Sequence, residues 1–461
     1  MKILRSISIL CFSLIVLMPV LTFNFKEGAV SEIDNRELAA NPFSEEARET
    51  GDLTENTENY VNDRIGLRDD MILAYTVLND RVFGKMVHPS YVYGKDGYVF
   101  GAGRSVYPCY SEFHEKFADM IMKIQTYCTE RDVPFLFVFN PAKPAVLTQY
   151  LPEGQNYDRE WVDLFMDSLK ERGVRCLDNT ETLREKTEKG EVVFNKKFDA
   201  NHWNDLGALY GTNEILRTLQ EDIHEVHVNQ AEDVVIREAL KETLLVSEFP
   251  INETVPSISV KMQCEDRSEE YRDELSLNEN FNEFGYFYNF DREEEGAPRA
   301  LVFQGSYMNE YGYQYLKNGF GEYIYVHDYQ NVIDFPYYFN IFKPECVVFE
   351  VAEYTITNEY FDYGRMEAMN LNPTLESVLD GGEDLQIEEA DAAALSIEKG
   401  TKLTKITWET KSEISHGWLE LDEDIVYDLM PDGESGNIYS TTVLTEEYER
   451  CKDTMKIISK R

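Results

Sequence analysis

The pattern of apolar and polar positions predicts an α/β domain followed by a β-rich tail. Apolar residues recur at helical spacing in four segments, 60–84, 113–132, 161–173 and 204–220. A continuous apolar run at 133–140 is typical of a strand buried on both faces of a parallel sheet, and further strands are predicted at 174–178, 300–303, 323–329 and 345–354. Because these strands alternate with helices, the sequence predicts βαβ units and a mostly parallel sheet within three layers.

Other stretches interrupt this alternation and divide the chain. YVYGKDGYVF, at 91–100, predicts a hairpin with a KDG turn. Residues 224–297 are acidic with alternating stretches, which indicates a β-rich insertion in the domain at 55–365. A linker at 366–390 precedes a small β-sandwich-like accessory domain at 391–461, where apolar and polar residues alternate.

The N-terminal sequence predicts export from the cytoplasm. Lys2 and Arg5 precede residues 6–25, a run without charge that is long enough to cross a bilayer as a helix. Residues 1–26 are therefore either an uncleaved membrane anchor or a removed signal peptide, and the acidic segment 27–54 is a stalk. In both cases we expect the remaining chain to be extracytoplasmic, attached to the membrane or secreted.

The composition excludes one class of function and argues against another. A formal charge of −42, with no compensating basic run, excludes nucleic-acid binding. The seven cysteines include no CxxC pair, and no histidine cluster has the spacing of metal ligands. We therefore expect neither a metal nor an organic cofactor.

A serine follows one of the predicted strands. In ALVFQGSYM, the apolar run 300–303 leads to Gly305 and Ser306, and a helix-like segment follows. A serine at such a turn exposes its hydroxyl at the carboxyl end of the sheet, where N–H groups that start the helix can stabilise an oxyanion. The alternative is that Ser306 only caps the helix.

A candidate base and its partner occur earlier in the chain. FDANHWNDLGA places Asp199 three residues before His202, just ahead of a predicted helix. A serine becomes nucleophilic when a histidine takes its proton, and an acid orients that histidine. The alternative is that Asp199 caps the helix and His202 lies on the surface. Trp203 could form a wall of the site.

Five stretches together resemble SGNH-hydrolase-like proteins of the alginate O-acetyltransferase and DHHW type. DRIGLRDDMI, YGKDGYVF, VFNPAKPAV and the DANHW and QGSYM blocks match the family's elements in the family's order, over roughly 55–360. Many relatives have D-x-H-W or D-H-H-W, whereas this chain has D-A-N-H-W. The family often has Arg after the Glu that follows the next strand, whereas here Tyr354 follows Glu353.

The resemblance implies an SGNH-like fold and a serine O-acetyltransferase or acetylesterase that acts on a cell-surface or secreted polysaccharide. Ser306 would be the nucleophile, His202 the general base and Asp199 its orienting acid. Further candidates for substrate or oxyanion binding are Gly305, Lys143, Trp203, Tyr307 and Asn340. Lys143 is equally interpretable as a solvated loop residue.

The resemblance also implies two partners, a polysaccharide acceptor and a membrane-embedded acyltransferase that supplies the acyl group. With water as the acceptor, the same triad would be a deacetylase. The alternative function is a catalytically silent SGNH-like protein that binds glycans or assists assembly in the cell envelope. Its functional surface would then be aromatic residues of the tail, among them Trp408, Trp418, Tyr427 and Tyr439.

Overall fold

A computed structural model describes most of the chain. The described ranges are 2–31, 36–44, 52–88, 90–102, 109–245, 249–380, 385–389, 395–410, 414–422, 425–432 and 437–460. The helices are α1 Lys2–Leu21, α2 Leu53–Arg64, α3 Arg68–Phe83, α4 Glu112–Thr129, α5 Lys143–Val146, α6 Glu160–Glu171, α7 Thr180–Glu188, α8 Asp205–Gln220, α9 Phe290–Glu294, α10 Tyr313–Leu316, α11 Phe335–Phe342, α12 Tyr363–Ala368, α13 Leu375–Asp380 and α14 Thr445–Cys451. Within the described ranges, we find no helix with both the length and the apolar character needed to cross a membrane.

In the described ranges, the strands form two large sheets and three small pairs. They are β1 Val30–Ser31, β2 Arg36–Glu37, β3 Tyr91–Tyr93, β4 Val99–Gly101, β5 Phe135–Asn140, β6 Cys176–Asp178, β7 Val234–Thr243, β8 Pro250–Val260, β9 Cys264–Asp266, β10 Phe284–Asn289, β11 Arg299–Gln304, β12 Glu322–His327, β13 Cys346–Ala352, β14 Gln386–Glu389, β15 Leu395–Lys399, β16 Leu403–Glu409, β17 His416–Asp422, β18 Ile425–Pro431, β19 Ile438–Leu444 and β20 Lys456–Lys460.

The central sheet has the order β6-β5-β13-β11-β12-β10-β9. Its first five strands are parallel, and β10 pairs antiparallel with β12. Side chains of each strand alternate between two apolar layers: Leu301 and Phe303 pack with α4, α6 and α11, whereas Ala300 and Val302 pack with α8. The predicted three-layer α/β fold is therefore confirmed, and β11 lies at the middle of the sheet.

Three elements differ from the sequence prediction. The helix predicted at 60–84 is two helices, α2 and α3, because Leu67 between them has a left-handed backbone (φ 61°). Among the described residues of 224–297, the β7–β8 ribbon pairs apart from the central sheet, whereas β9 and β10 extend that sheet. The predicted linker contains α13 and β14, so part of it is regular structure.

The tail is a second unit that packs on the first. Its strands form one antiparallel sheet, β14-β20-β17-β18-β19-β16-β15, rather than the two facing sheets of a sandwich. Asp428 of β18 is buried and accepts hydrogen bonds from the Tyr127 hydroxyl and, at 3.1 Å, from Arg131 Nη2. These bonds join the tail to α4 and to the segment after it.

Candidate active site

Ser306 lies at the turn where the central strand β11 ends. Gly305 precedes it, and its N–H donates to Glu350 Oε2 at 2.9 Å. A Cβ on Gly305 would lie 3.3 Å from Asp328 Oδ1, so a side chain larger than hydrogen would crowd this carboxyl group. The N–H groups of Met308 and Asn309 donate to the Gly305 carbonyl, which starts a helical turn directly at the serine.

The structure places His202 and Asp199 beside this serine. His202 Nε2 is 3.0 Å from Ser306 Oγ, and His202 Nδ1 is 3.0 Å from both carboxylate oxygens of Asp199. The three side chains form a continuous hydrogen-bonded line at the carboxyl end of β11. These distances are within the range over which a base removes a proton from a hydroxyl group.

Asp199 has an unusual backbone conformation, and its carboxylate accepts several hydrogen bonds. Its φ of 53° lies in the left-handed region, which aspartate tolerates better than most residues. Oδ1 accepts the N–H groups of Asn201 (3.2 Å) and His202 (3.0 Å), and Oδ2 accepts the Tyr311 hydroxyl at 3.0 Å. Burial raises the pKa of Asp199, but His202 and the N–H donors more than offset this, so its pKa lies below the ordinary value. Asp199 is therefore ionised at neutral pH.

Tyr354 is a member of the site that the sequence did not identify as one. Its hydroxyl is 3.2 Å from Ser306 Oγ, on the turn that follows β13. Because β13 pairs directly with β11, the residues after both strands meet at one sheet edge. The signal in the sequence was the position after Glu353, where the chain departs from the family pattern.

Tyr307 and Trp203, two predicted site residues, are buried and bind backbone carbonyl groups instead of lining an open substrate pocket. The Tyr307 hydroxyl reaches the carbonyls of Pro141 (3.0 Å) and Asn201 (2.9 Å). Trp203, fully buried, donates from Nε1 to the Tyr307 carbonyl at 2.9 Å. Together they join the turn that carries the serine to the segment that carries the histidine.

The environments of Lys143 and Asn340 also differ from those predicted. Lys143 is fully buried, and its Nζ donates to the Val99 carbonyl at 2.8 Å, so it is not a solvated loop lysine. Burial lowers the pKa of Lys143 to about 8, although Asp199 nearby acts in the opposite direction. Asn340 does not join the site: α11 carries it to the tail, where its amide donates to the Asp428 carbonyl at 3.3 Å. The prediction for Asn340 was wrong because that contact depends on residues far away in the sequence.

Buried carboxyl groups lie beneath the turn. Glu350 accepts the Gly305 N–H and, at 2.7 Å, the Asn140 amide, while Asn140 in turn accepts from Asn179. Burial raises the pKa of Glu350 to about 8. This network occupies the Gly305 N–H, so that group is not free to bind an oxyanion. Within the described ranges, no group of three or more His, Cys, Asp or Glu residues could hold a metal ion.

The arrangement has the parts needed for acyl transfer through a covalent intermediate. Ser306 and His202 are both partly exposed, so a substrate can reach the hydroxyl and the base. The Tyr354 hydroxyl and the Ser306 N–H, in the first turn of the helix, are donors beside the position that an attacked carbonyl would take.

Comparison with known proteins agrees with the motifs. A family model described as ALGX, SGNH hydrolase-like domain, acetyltransferase AlgX, matches residues 92–276. This range contains Asp199 and His202 and ends before Ser306. No curated protein matches the chain.

Several solved structures match part of this chain. PatB1 of Bacillus cereus is 16% identical with a TM-score of 0.44, covering 59% of this chain and 99% of that one. The O-acetyltransferase domain of Pseudomonas putida AlgJ is 14% identical with a TM-score of 0.43, covering 61% and 99%. A DHHW family protein of Eubacterium siraeum is also 14% identical with a TM-score of 0.43, covering 61% and 96%. The family match supports the resemblance that the motifs indicated, and over residues 92–276 the chain is similar to SGNH-hydrolase-like acetyltransferases of the AlgX type.

Proposed function

We propose that the chain is an extracytoplasmic serine O-acyltransferase that moves acetyl groups to hydroxyls of a cell-surface or secreted polysaccharide. The observation that carries the proposal is the hydrogen-bonded line from Ser306 Oγ through His202 to Asp199, with 3.0 Å at each step. The family model, described as an acetyltransferase, supports the choice of acetyl transfer.

The reaction follows from the positions of the three side chains. His202 Nε2 takes the Ser306 proton as Oγ attacks the carbonyl carbon of an acetyl ester, and the Tyr354 hydroxyl and Ser306 N–H stabilise the oxyanion. The imidazolium then protonates the leaving alcohol, which gives an acetyl-serine and a neutral imidazole. In the second half, His202 deprotonates a sugar hydroxyl, which attacks the acetyl-serine and restores Ser306. Water in place of the sugar would give hydrolysis.

The location and the partners are further parts of the proposal. The uncharged run 6–25 behind Lys2 and Arg5 supports export of the chain, either anchored or cleaved. A polysaccharide would be the acceptor, and a membrane-embedded acyltransferase would supply the acetyl group. A gene for such a multi-pass protein beside this one would favour transfer over hydrolysis.

A catalytically silent, glycan-binding protein is less well supported. That function would need aromatic rings on the surface of the tail. Trp408, Trp418, Tyr427 and Tyr439 are instead buried, in apolar clusters of the tail. Their rings stabilise the second sheet and are not available to stack on sugars.

The test measures p-nitrophenyl acetate turnover and acetylation of Ser306 by mass spectrometry. We expect Ser306→Ala to abolish both signals and His202→Ala to abolish turnover. His224→Ala, which alters an exposed histidine, is the matched control and should behave as wild type. Unchanged turnover in both site variants would remove the triad from the mechanism. A wild-type protein that neither turns over the ester nor becomes acetylated would favour the binding function.

A further inference from the structure

Asp199 lies in a long segment that has no helix or strand to satisfy its backbone. Residues 191–204, between α7 and α8, contain no helix or strand, and they carry the whole Asp-x-x-His element. Buried or half-buried N–H groups need acceptors, so such a segment depends on side chains for its shape. The position of Asp199 therefore depends on the side chains that accept hydrogen bonds from the neighbouring backbone N–H groups.

One carboxylate binds three consecutive N–H groups directly before Asp199. Glu253 Oε1 accepts the Lys196 N–H at 2.7 Å, and Oε2 accepts those of Lys197 (2.8 Å) and Phe198 (2.6 Å). Hydrogen bonds to an ionised acceptor are about twice as strong as neutral ones. Phe198 directly precedes Asp199, so this carboxylate fixes the backbone up to one peptide before the left-handed residue.

The β7–β8 ribbon is shaped to present this carboxylate. Lys241 pairs with Glu253, but Thr243 pairs with Pro250, so β8 contains an extra residue between the two pairs. Asn252 within this bulge has φ 50°, and Glu253 follows it directly. A bulge of this kind redirects the next side chain. The ribbon also covers Phe198, whose ring packs with Phe249, Ile251 and Val255 in one apolar cluster.

We propose that the β7–β8 ribbon is a positioning element of the active site, and that Glu253 is the positioning residue that holds Asp199 against His202. The inference rests on the proposed function, because it assigns a catalytic role to Asp199. The region 224–297, which the sequence predicted to be an insertion, thereby contributes to the reaction by positioning Asp199.

The chain offers a matched control for this inference. Glu274 binds three consecutive N–H groups in the same way, those of Thr401 (2.8 Å), Lys402 (3.0 Å) and Leu403 (2.8 Å). These groups belong to the tail, away from the triad. Glu274→Gln therefore disrupts an equivalent contact without touching the segment that carries Asp199.

The experiment compares Glu253→Gln and Glu274→Gln in the full-length chain, below the melting temperature of both. We expect Glu253→Gln to lower kcat for p-nitrophenyl acetate about tenfold, with KM within about twofold, because a small displacement of an orienting group costs rate rather than binding. The downfield proton NMR signal of His202 Nδ1–H, shared with Asp199, should weaken or move upfield. Glu274→Gln should leave kcat and this signal unchanged.

Two results would overturn the inference: a Glu253→Gln variant with wild-type kcat and an intact Nδ1–H signal, or equal losses of kcat in both variants. Failure of the proposed function looks different, since the wild type would then be inactive or Ser306→Ala would remain active. The NMR signal still reports whether Glu253 holds Asp199 in that case, because it needs no turnover.

Discussion

Asp199→Asn tests the central electrostatic feature of the site while keeping its shape. The carboxylate accepts four donors: the N–H groups of Asn201 and His202, His202 Nδ1–H and the Tyr311 hydroxyl. An asparagine oxygen can accept only about two of them, so two charge-assisted hydrogen bonds are lost. At about 1.5–3 kcal/mol each, and with partial rearrangement, we expect a loss of about 3 kcal/mol in the free energy of unfolding.

The effect on rate should be larger than the effect on stability. The new amide would donate to His202 Nδ1, which leaves the imidazole proton on Nε2, facing Ser306 Oγ. A histidine in this tautomer cannot accept the serine proton. The equivalent change in the Ser-His-Asp template lowers kcat about 10⁴-fold, which is about 5 kcal/mol of transition-state stabilisation.

The assay is p-nitrophenyl acetate turnover, with urea unfolding measured in parallel. Tyr311→Phe is the comparison, since it removes one donor to Asp199 and leaves the tautomer of His202 unchanged. It should cost about 1–2 kcal/mol in stability and less than about tenfold in kcat. An Asp199→Asn variant within tenfold of the wild-type kcat would refute the role given to the carboxylate.

Three further predictions concern single contacts. Tyr354→Phe should lower kcat about 10²-fold with little change in KM, because it removes an oxyanion donor; a kcat within twofold of wild type would exclude Tyr354 from that role. Glu350→Gln should flatten the pH dependence of stability. Burial raises the Glu350 pKa from 4.5 to about 8, so the folded protein retains a proton that the unfolded chain releases, and stability falls as pH rises through this window. Thermal melts across the window should show a shallower slope for the variant, and equal slopes would contradict the assignment. Gly207→Ala should destabilise the protein by about 1–3 kcal/mol, because its Cβ would lie 2.3 Å from the Val193 carbonyl oxygen. In an ordinary helix the same change stabilises by about 1 kcal/mol. Urea unfolding therefore shows whether Gly207→Ala lowers or raises the free energy of unfolding.

The sequence predicted the central sheet well because its strands are apolar on both faces. The runs that contain β5, β11, β12 and β13 cannot be surface strands, and the helices between them require parallel pairing. The order of the strands was not readable, since it depends on contacts between distant segments. For the same reason the sequence could not show that β13 lies beside β11.

The sequence identified the three side chains that the structure brings together, but not their surroundings. Ser306, His202 and Asp199 belong to short motifs, and such motifs can be recognised in a single sequence. Tyr354 is one of 29 tyrosines, and its only distinguishing feature in the sequence is its position after Glu353, where the family often has Arg. Glu253 was also not identified, because a single acidic residue in a strand looks like any other exposed charge. Its role depends on a bulge that sequence patterns do not reveal.

The contact made by Asp428 determines how the molecule can be divided. A chain cut after α13 would leave the Arg131 guanidinium and the Tyr127 hydroxyl without their acceptor, on a face that the tail now covers. Such a fragment would expose apolar side chains of α11, including Phe339, and would tend to self-associate. We therefore expect the α/β unit and its tail to unfold in one cooperative transition, and a shortened chain to need both for stability.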